Sequence, residues 1–299
     1  MINIAFIILH YKSIDDTKKC IDSILENLKN DNYKIIVVDN GSNNGTGESL
    51  LTLYKDNTII DVILNSENLG FSAGNNIGCD YAKITYNPSF LCVLNNDTVI
   101  KQSDFFDKIQ QEYNTSFFDV LGPDIITINL IHQNPYGANL YSYNALRKHI
   151  FKMVFLRFYY FYNLDALKIL EIYKFLKNKF GLDCHKEEFI LNNQIRQEDL
   201  SLHGSALIFS KKYLEKYPTV FWNEMFMYSE EDFLNYRRMK DHLKFVYSPG
   251  LVVYHKEYHN ASSLFKSDKE KRLFLYKHSL HSVLKLYLLM KKEKFKFDT

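Results

Sequence analysis

Four cysteines are the only thiols in this sequence, and no two of them stand in a CxxC pair. This spacing supports neither a zinc site nor a disulfide framework, so Cys20, Cys79, Cys92 and Cys184 are predicted to be reduced or buried. No apolar run reaches the ~18 residues that a membrane-spanning helix needs. The apolar run at residues 2–9 lacks a basic n-region and a cleavage site, which favours a strand over a signal peptide. We therefore expect a protein of the cytoplasm.

A strong charge of either sign is also missing, since the 299 residues carry a net charge of +2. The hydrophobic share of 46% and the charged share of 24% are ordinary for a globular protein with a real core. The positive charge is nevertheless concentrated. Residues 147–179 hold eight Lys or Arg against two acids, and residues 266–299 hold ten against four. No recognisable nucleic-acid-binding module accompanies these segments, so nucleic acid is not an expected partner.

Four apolar runs in the first 125 residues lack the polar alternation of half-exposed strands, which is typical of parallel strands covered by helices on both faces. Helical patterns separate them at the spacing of βαβ units. The sequence predicts an α/β fold with a Rossmann-like, mostly parallel sheet, joined by basic, aromatic-rich helices later in the chain. The predicted strands are residues 4–9, 34–39, 59–65 and 90–95.

Polar side chains follow three of these strands directly: His10 and Tyr11 the first, Asp39 the second, and Asn96 with Asp97 the fourth. In an open α/β sheet, ligands bind outside the carboxyl ends of the strands. A single acid at a strand end is more often a helix cap or turn former, but three such ends together favour a ligand site. A carboxylate beside amide side chains, as at Asp97, also suits a hard divalent cation that holds phosphates.

Glycines recur every four residues at Gly70, Gly74 and Gly78, which predicts one small-residue face on a helix that begins near Ser72. That face can approach a strand or a ligand closely, and the backbone N–H groups at the helix start favour phosphate. The segment matches neither the dinucleotide-binding glycine pattern nor a P-loop.

Three consecutive acids, Glu230, Glu231 and Asp232, cannot share one low-dielectric pocket without raising at least one pKa. A carboxylate with a raised pKa suits a general base that deprotonates a hydroxyl. The alternative is a solvated acidic helix start that the helix dipole stabilises. Farther on, an apolar run ends in His255, which by itself is as well explained by a core or surface histidine.

The ordered motifs ILHYKS, VVDNGSNNGT, NLGFSAGNNIG and LNNDTVI resemble those of the family 2 glycosyltransferases of GT-A fold, especially the rhamnosyltransferase-like branch. The resemblance covers about residues 2–260. It implies a nucleoside-diphosphate sugar, UDP- or dTDP-linked, as the donor, with Asp39 on the base and the glycine- and asparagine-rich segment lining the donor pocket. The predicted donor-binding residues are His10, Tyr11, Asp39, Asn68, Gly70, Gly74, Asn75, Asn96 and Asp97.

The same resemblance implies a divalent metal, Mn²⁺ or Mg²⁺, at the family's DxD motif. Here Asn95 replaces the first acid, so the metal would rest on Asp97, with His255 near the metal and the diphosphate. This departure makes metal dependence less certain than in the family.

In the second half, the stretch that includes the three acids resembles the family's E-D-x-D-L-x-x-R motif. The register that keeps Leu234 and Arg237 aligned puts Glu231 at the catalytic-base position, with Phe233 in place of the second acid. A shift by one residue nominates Asp232 instead, and Glu231 is preferred. The predicted acceptor-side residues are Gly204, Ser205, Glu230 and Arg237.

The expected organisation is a donor-binding half (1–125), an acceptor half (126–265) with a helical insertion at about 144–181, and a C-terminal amphipathic helix (266–299). Basic, aromatic stretches at residues 150–162 and 273–290 are typical either of core helices or of helices that lie on anionic lipid. Because many similar transferases act on lipid-linked acceptors, the resemblance favours peripheral contact with the inner face of the membrane.

The expected function is inverting transfer of a sugar to a hydroxyl of a glycan or lipid-linked acceptor, in the synthesis of a surface polysaccharide. Two alternatives belong to other classes. A sugar-phosphate nucleotidyltransferase should carry a glycine-rich N-terminal loop with a basic residue, and ILHYKSIDD lacks the glycines. A non-catalytic nucleotide-sugar-binding protein would explain the reduced Asn95–Asn96–Asp97 motif.

Overall fold

The computed structural model describes residues 3–28, 32–137, 142–164, 192–256 and 265–296. The chain divides into two compact units, one of residues 1–140 with 191–258 and one of residues 141–190 with 259–299. Cys184 and the part of the expected insertion after residue 164 lie outside the described residues. The other three cysteines are buried free thiols, as predicted.

The described residues form nine strands and eight helices. The strands are β1 (Ile4–His10), β2 (Tyr33–Asp39), β3 (Ile60–Leu64), β4 (Phe90–Asn95), β5 (Thr98–Val99), β6 (Val120–Thr127), β7 (Gln197–Glu198), β8 (Ala206–Ser210) and β9 (Phe245–His255). The helices are α1 (Ile14–Asn27), α2 (Thr46–Tyr54), α3 (Gly70–Tyr86), α4 (Phe105–Ser116), α5 (Tyr143–Phe161), α6 (Lys211–Lys216), α7 (Glu230–Asp241) and α8 (Asp268–Lys292).

One sheet organises the first unit, with the strand order β3-β2-β1-β4-β8-β6-β9-β5 and β7 paired to β9. Strands β1 to β4 pair in parallel, and β6 and β9 run in the same direction as they do. The prediction of a mostly parallel α/β sheet is confirmed, since six of the nine described strands run in the same direction. The boundary expected after residue 125 falls within β6, and the division into donor and acceptor halves stays a prediction.

Strand β1 shows why the sheet needs helices on both faces. Its residues alternate between two cores: Phe6 packs in a core with α1 and α4, whereas Ile7 packs in a core with α3, α6 and α7. Residues 4–8 are all buried. An apolar run without alternation is stable only where both faces are covered, which is the pattern of a parallel α/β sheet.

Strand β8 was not expected to lie antiparallel between two parallel neighbours. It pairs with β4 on one side and β6 on the other, with Ala206 opposite Leu94. Because β8 runs in the reverse direction, its amino end meets the carboxyl end of β4. The N–H of Asn95 donates to the carbonyl of Ser205 over 2.9 Å. The segment before β8 therefore reaches the edge where ligands bind in such sheets.

The glycine face of α3 lies against the sheet. A Cβ atom added at Gly78 would lie 2.8 Å from methyl carbons of both Ile7 and Val38, and one at Gly74 would lie 2.8 Å from Leu9. The close approach expected from the spacing is thus present. The helix spans Gly70–Tyr86, within two residues of the predicted start near Ser72. Gly70 itself adopts φ = +81°, a left-handed conformation that favours glycine and turns the chain into the helix.

The second unit, in its described part, is an antiparallel pair of α5 and α8. The hydroxyl of Tyr143 donates to the carbonyl of Met290 over 2.9 Å, near one end of the pair. Toward the other end, the rings of Tyr160 and Tyr276 stack at a centroid distance of 5.6 Å. None of the helices in the described ranges is both long enough and apolar enough to cross a membrane.

Substitution of Gly78 by Val should lower the free energy of unfolding by about 2 kcal/mol or more, because two stiff β-branched neighbours oppose the new side chain. Thermal and urea unfolding measure the change. Gly137→Val is the matched control, since an added Cβ there meets no atom of the described residues within 4 Å. Equal stability of the two variants would show that α3 does not depend on this contact.

Candidate active site

Strands β1, β2, β4, β6 and β9 end on one side of the sheet, which we call the carboxyl edge. His10, Asp39, Asp97 and His255 lie at or just beyond these strand ends. The parallel register sets His10 directly opposite Asp39. The four strand ends that the sequence predicted to carry functional residues, those of β1, β2, β4 and β9, thus share one edge. The end of β6 lies at the same edge.

His10 is fully buried and uses both ring nitrogens within the protein. Nδ1 is hydrogen-bonded to Thr17 of α1 at 2.7 Å and Nε2 to Thr46 of α2 at 2.9 Å. Burial lowers the pKa of His10, although the nearby Asp39 carboxylate opposes the shift. A neutral imidazole that joins two hydroxyls orients α1 and α2 around the edge. Tyr11, the next residue, is half-buried and carries the ammonium of Lys12 4.9 Å from its ring.

Asp39 is buried, and its carboxylate accepts hydrogen bonds from the hydroxyl and the N–H of Ser42. Helix α2 comes very close to this group: a Cβ atom added at Gly47 would lie 2.4 Å from Asp39 Oδ2. The carboxylate therefore closes the turn after β2, which is the structural role that a strand-end acid commonly has.

Asn40 is a central residue of the edge that the sequence argument did not single out. Its amide donates to the side chain of Asn68 and to the carbonyl of Gly70, both at 3.0 Å. Its oxygen accepts from Asn65 and from the N–H of Leu69. One side chain thus joins the end of β2 to the start of α3. The only signal in the sequence was its position after Asp39, where an Asn-Gly turn explained it equally well.

The start of α3 contains buried polar atoms without a protein partner. Ser72 Oγ and Asn75 Oδ1 have no hydrogen bond from the described residues. Gly70 and Phe71 lie against the segment before α7, because the N–H of Phe71 donates to the carbonyl of Phe226 over 2.7 Å. Buried polar atoms are rarely left unpaired in native proteins. Both side chains are fully buried, so the two atoms lie in the interior of this segment and not on the surface of the edge.

Asp97 and His255, from distant parts of the sequence, meet at the carboxyl edge. Asp97 Oδ1 lies 3.2 Å from His255 Nε2, and the Nδ1 of the same ring lies 2.7 Å from Gln133 Oε1. A carboxamide oxygen only accepts, so Nδ1 carries a proton and Nε2 turns toward the carboxylate. Nε2 of a neutral ring would face Asp97 with its lone pair. A cation placed between these two groups would be held by both of them.

This pair fits a divalent cation in its chemistry. One carboxylate and one imidazole are suitable ligands for Mn²⁺ or Mg²⁺, and such ions take their remaining ligands from phosphates and water. Asn96, in contrast, turns toward α1, where its amide donates to Thr17 over 3.1 Å. Within the described ranges, no group of three or more His, Cys, Asp or Glu side chains could hold a metal. The edge offers two protein ligands, and a bound diphosphate would have to supply others.

A chain of contacts joins this pair to Glu231. The ring of His203 lies 6.1 Å from that of His255, measured between centroids. The next residue, Gly204, donates its N–H to Glu231 Oε1 over 3.0 Å. A Cβ atom at position 204 would lie 2.9 Å from the same oxygen. The segment before β8 thus brings Glu231, the preferred candidate for the catalytic base, to the carboxyl edge. The carbonyl of Ser205 joins this segment to β4.

The three consecutive acids are in unequal environments. Burial, reinforced by the charge of Glu231, raises the pKa of Glu230 to about 8, and Glu230 Oε1 has no hydrogen-bond partner among the described residues. The same two causes raise the pKa of Asp232 to about 6. The pKa rise that we expected for such a cluster therefore occurs on both sides of Glu231.

Two other residues of this motif, Phe233 and Arg237, have partners within the protein. Phe233 is buried against Trp222, with ring centroids 4.8 Å apart, so an apolar residue is required where the family has its second acid. Arg237 donates to the hydroxyl of Tyr213 and to the carbonyls of Thr219 and Val220. In the described structure, its guanidinium holds the chain between α6 and α7.

A mixed α/β sheet with acids and a histidine at its carboxyl edge is the architecture of GT-A glycosyltransferases. The chain is similar to the structure of S. aureus TarS 1-349 in complex with UDP-GlcNAc, with a TM-score of 0.55, 13% identity, and coverage of 96% of this chain and 66% of that chain. It is also similar to GalNAc-T7 with UDP, GalNAc and Mn²⁺, with a TM-score of 0.57, 12% identity, and coverage of 86% and 44%. The predicted fold is confirmed.

The model of glycosyl transferase family 2 matches residues 5–218. The chain belongs to this family, which confirms the resemblance of its motifs. No curated protein shows a significant match to the sequence. The chain spans less than two thirds of the length of the TarS and GalNAc-T7 chains with which it was compared.

Replacement of Glu230 by Gln should stabilise the protein at alkaline pH. The pKa of Glu230 is about 8 in the folded protein, against an ordinary value of 4.5, so its favourable contribution is complete below pH 4.5 and is lost as the pH rises toward 8. Glutamine imitates the protonated form and should add about 1–3 kcal/mol at pH 8, with little change near pH 4.5. Thermal unfolding across this range measures it.

Glu215→Gln, at an exposed position, is the control and should leave the profile unchanged. A Glu230→Gln protein that is less stable than the parent at pH 8 would contradict the assignment of a buried, poorly solvated carboxyl.

Proposed function

We propose that this protein transfers a sugar, with inversion, from a UDP- or dTDP-linked donor to a hydroxyl of a glycan or lipid-linked acceptor, in the synthesis of a surface polysaccharide. The observation that carries the proposal is the chain of contacts from Asp97 and His255 through Gly204 to Glu231. A group suited to a diphosphate and a group suited to a proton transfer belong to one edge of one sheet.

The donor would lie along the carboxyl edge, with its base near Asp39 and Tyr11 and its diphosphate near Asp97. The half-buried ring of Tyr11 offers a stacking surface for a base. TarS and GalNAc-T7, which share the fold, are described with UDP, and this favours uridine among the bases.

Asp97 and His255 would hold the divalent metal. When bound, the metal would supply positive charge for the departing diphosphate. Gln133 keeps the proton on Nδ1 of His255 and so leaves Nε2 as the nitrogen that can bind. The absence of an acid at Asn95 leaves one carboxylate for this task, so the donor's own phosphates would complete the site.

Glu231 would accept the proton of the acceptor hydroxyl while that hydroxyl attacks the anomeric carbon from the side opposite the diphosphate. Its carboxylate is oriented by the N–H of Gly204, which restricts its position before substrate binds. Such a single in-line displacement inverts the anomeric centre. Asp232 remains the alternative base, since a group with a pKa of about 6 is ionised at neutral pH.

Replacement of Glu231 by Gln should lower kcat by ~10²-fold or more while donor affinity is largely kept, because the amide cannot accept the proton. Release of UDP or dTDP from a panel of sugar donors measures turnover, and thermal shift with UDP-, dTDP- and GDP-sugars measures donor binding. Glu215→Gln should behave as the parent protein.

Full turnover of Glu231→Gln together with loss of turnover in Asp232→Asn would transfer the base role to Asp232. Binding of sugar nucleotides by the parent protein with no nucleotide release from any donor would favour the non-catalytic binding protein. Formation of a sugar nucleotide from a sugar phosphate and a nucleoside triphosphate would favour the nucleotidyltransferase.

Asp97→Asn should reduce turnover by about tenfold or more and weaken the binding of Mn²⁺ in the presence of UDP, because the site loses its one carboxylate. Turnover with and without manganese, and titration calorimetry of Mn²⁺, measure the two effects. Asp104→Asn, an exposed position, is the control. Unchanged turnover of the parent protein in excess chelator would rule out the metal.

A further inference from the structure

Helix α5 exposes a continuous stripe of large apolar side chains. Phe151, with 74% of its surface exposed, and Phe161, with 62%, are among the most exposed of them. Their spacing follows the helical period, so all of them lie on one side of the helix. We call this surface the outer face of α5. It consists of Phe151, Val154, Phe155, Phe158, Phe161 and Tyr162.

Packing within the described part of the second unit, residues 142–164 and 265–296, does not explain this stripe. The opposite side of α5 is buried, at Leu146, Met153 and Tyr160, and helix α8 buries Leu286 and Met290. Tyr160 makes the contact with α8, as it stacks on Tyr276 and accepts a hydrogen bond from Arg272. Helix α5 is thus apolar on two sides, and only one of them faces the helix pair. An exposed apolar patch of this kind is typical of an interaction surface.

The charges around the stripe identify the partner. Helix α5 contains four cationic residues, Arg147, Lys148, Lys152 and Arg157, and no acid. All four are exposed. By helical period Lys148 and Lys152 flank one side of the stripe, Arg157 flanks the other, and Arg147 lies at its end. Long cationic side chains beside an aromatic stripe can reach lipid phosphates while the rings lie among the acyl chains.

We propose that the outer face of α5 docks on the surface of an anionic lipid bilayer, with the helix in the plane of the membrane. Four cations within the helix exclude a spanning orientation, whereas each contributes favourably near anionic headgroups. A second copy of the chain fits the face poorly, because two such surfaces would bring eight cations together without an acid. The inference does not depend on the sugar donor or on the catalytic residues.

Flotation with vesicles tests the docking. The full chain should bind vesicles of phosphatidylcholine with 30% phosphatidylglycerol about tenfold or more tightly than pure phosphatidylcholine vesicles, and 0.5 M salt should abolish most of the difference. Two triple variants separate the contributions. Phe151→Gln/Phe155→Gln/Phe158→Gln should weaken binding to anionic vesicles by about tenfold or more. Lys148→Gln/Lys152→Gln/Arg157→Gln should remove the preference for anionic lipid.

The matched control removes exposed apolar groups from the first unit, at Leu53, Ile84 and Ile195. Leu53→Gln/Ile84→Gln/Ile195→Gln should bind anionic vesicles as the parent does. Circular dichroism and nucleotide release from a sugar donor verify that each variant is folded. The proposal is overturned if the parent fails to bind anionic vesicles, or if the phenylalanine variant binds them equally well. The proposal would also be overturned, in favour of self-association, if the parent is a dimer and the phenylalanine variant is a monomer.

Discussion

The hydrogen bond from the backbone of Gly204 to the carboxylate of Glu231 is the contact on which the proposed chemistry depends. It exists because β8 runs antiparallel to β4, so that the segment before β8 reaches the carboxyl edge. A Cβ atom at that position would lie 2.9 Å from the carboxylate oxygen, so a larger residue would displace the carboxylate from its present position. Backbone direction and the smallest side chain together bring an acid of α7 to the edge built by the first four strands.

The carboxyl groups of the edge differ in burial, and their pKa values differ for that reason. Glu230 and Asp232 both have raised pKa values, from burial first and from the charge of Glu231 second. Glu230 therefore holds a proton near neutral pH that an isolated carboxyl would release, whereas Asp232 is mostly ionised there. Elsewhere on the edge, the imidazole of His255 lies beside the carboxylate of Asp97, and a cation between them would contact both. One edge thus combines a region suited to proton transfer with a region suited to a diphosphate and its metal.

Much of the fold could be predicted because local pattern and tertiary environment agree. The run at residues 90–95 is apolar without alternation, and it forms β4, a strand buried on both faces. The glycine spacing of α3 predicted a close approach, and the sheet side chains lie where that spacing requires. The direction of β8 could not be predicted, since an apolar strand has the same pattern whether its neighbours are parallel or antiparallel. The four hydrogen bonds of Asn40 also join segments that no local pattern connects.

The sequence by itself determined the residue types at the strand ends, the acidic cluster, the family motifs and the basic, aromatic character of α5. Only the tertiary structure decided which of these groups meet. Asp97 and His255 are far apart in the chain, and it is the pairing of β5 with β9 that makes them neighbours. Packing on α8 likewise decides which side of α5 is buried, because periodicity shows where apolar side chains lie on a helix but not which of them find a partner.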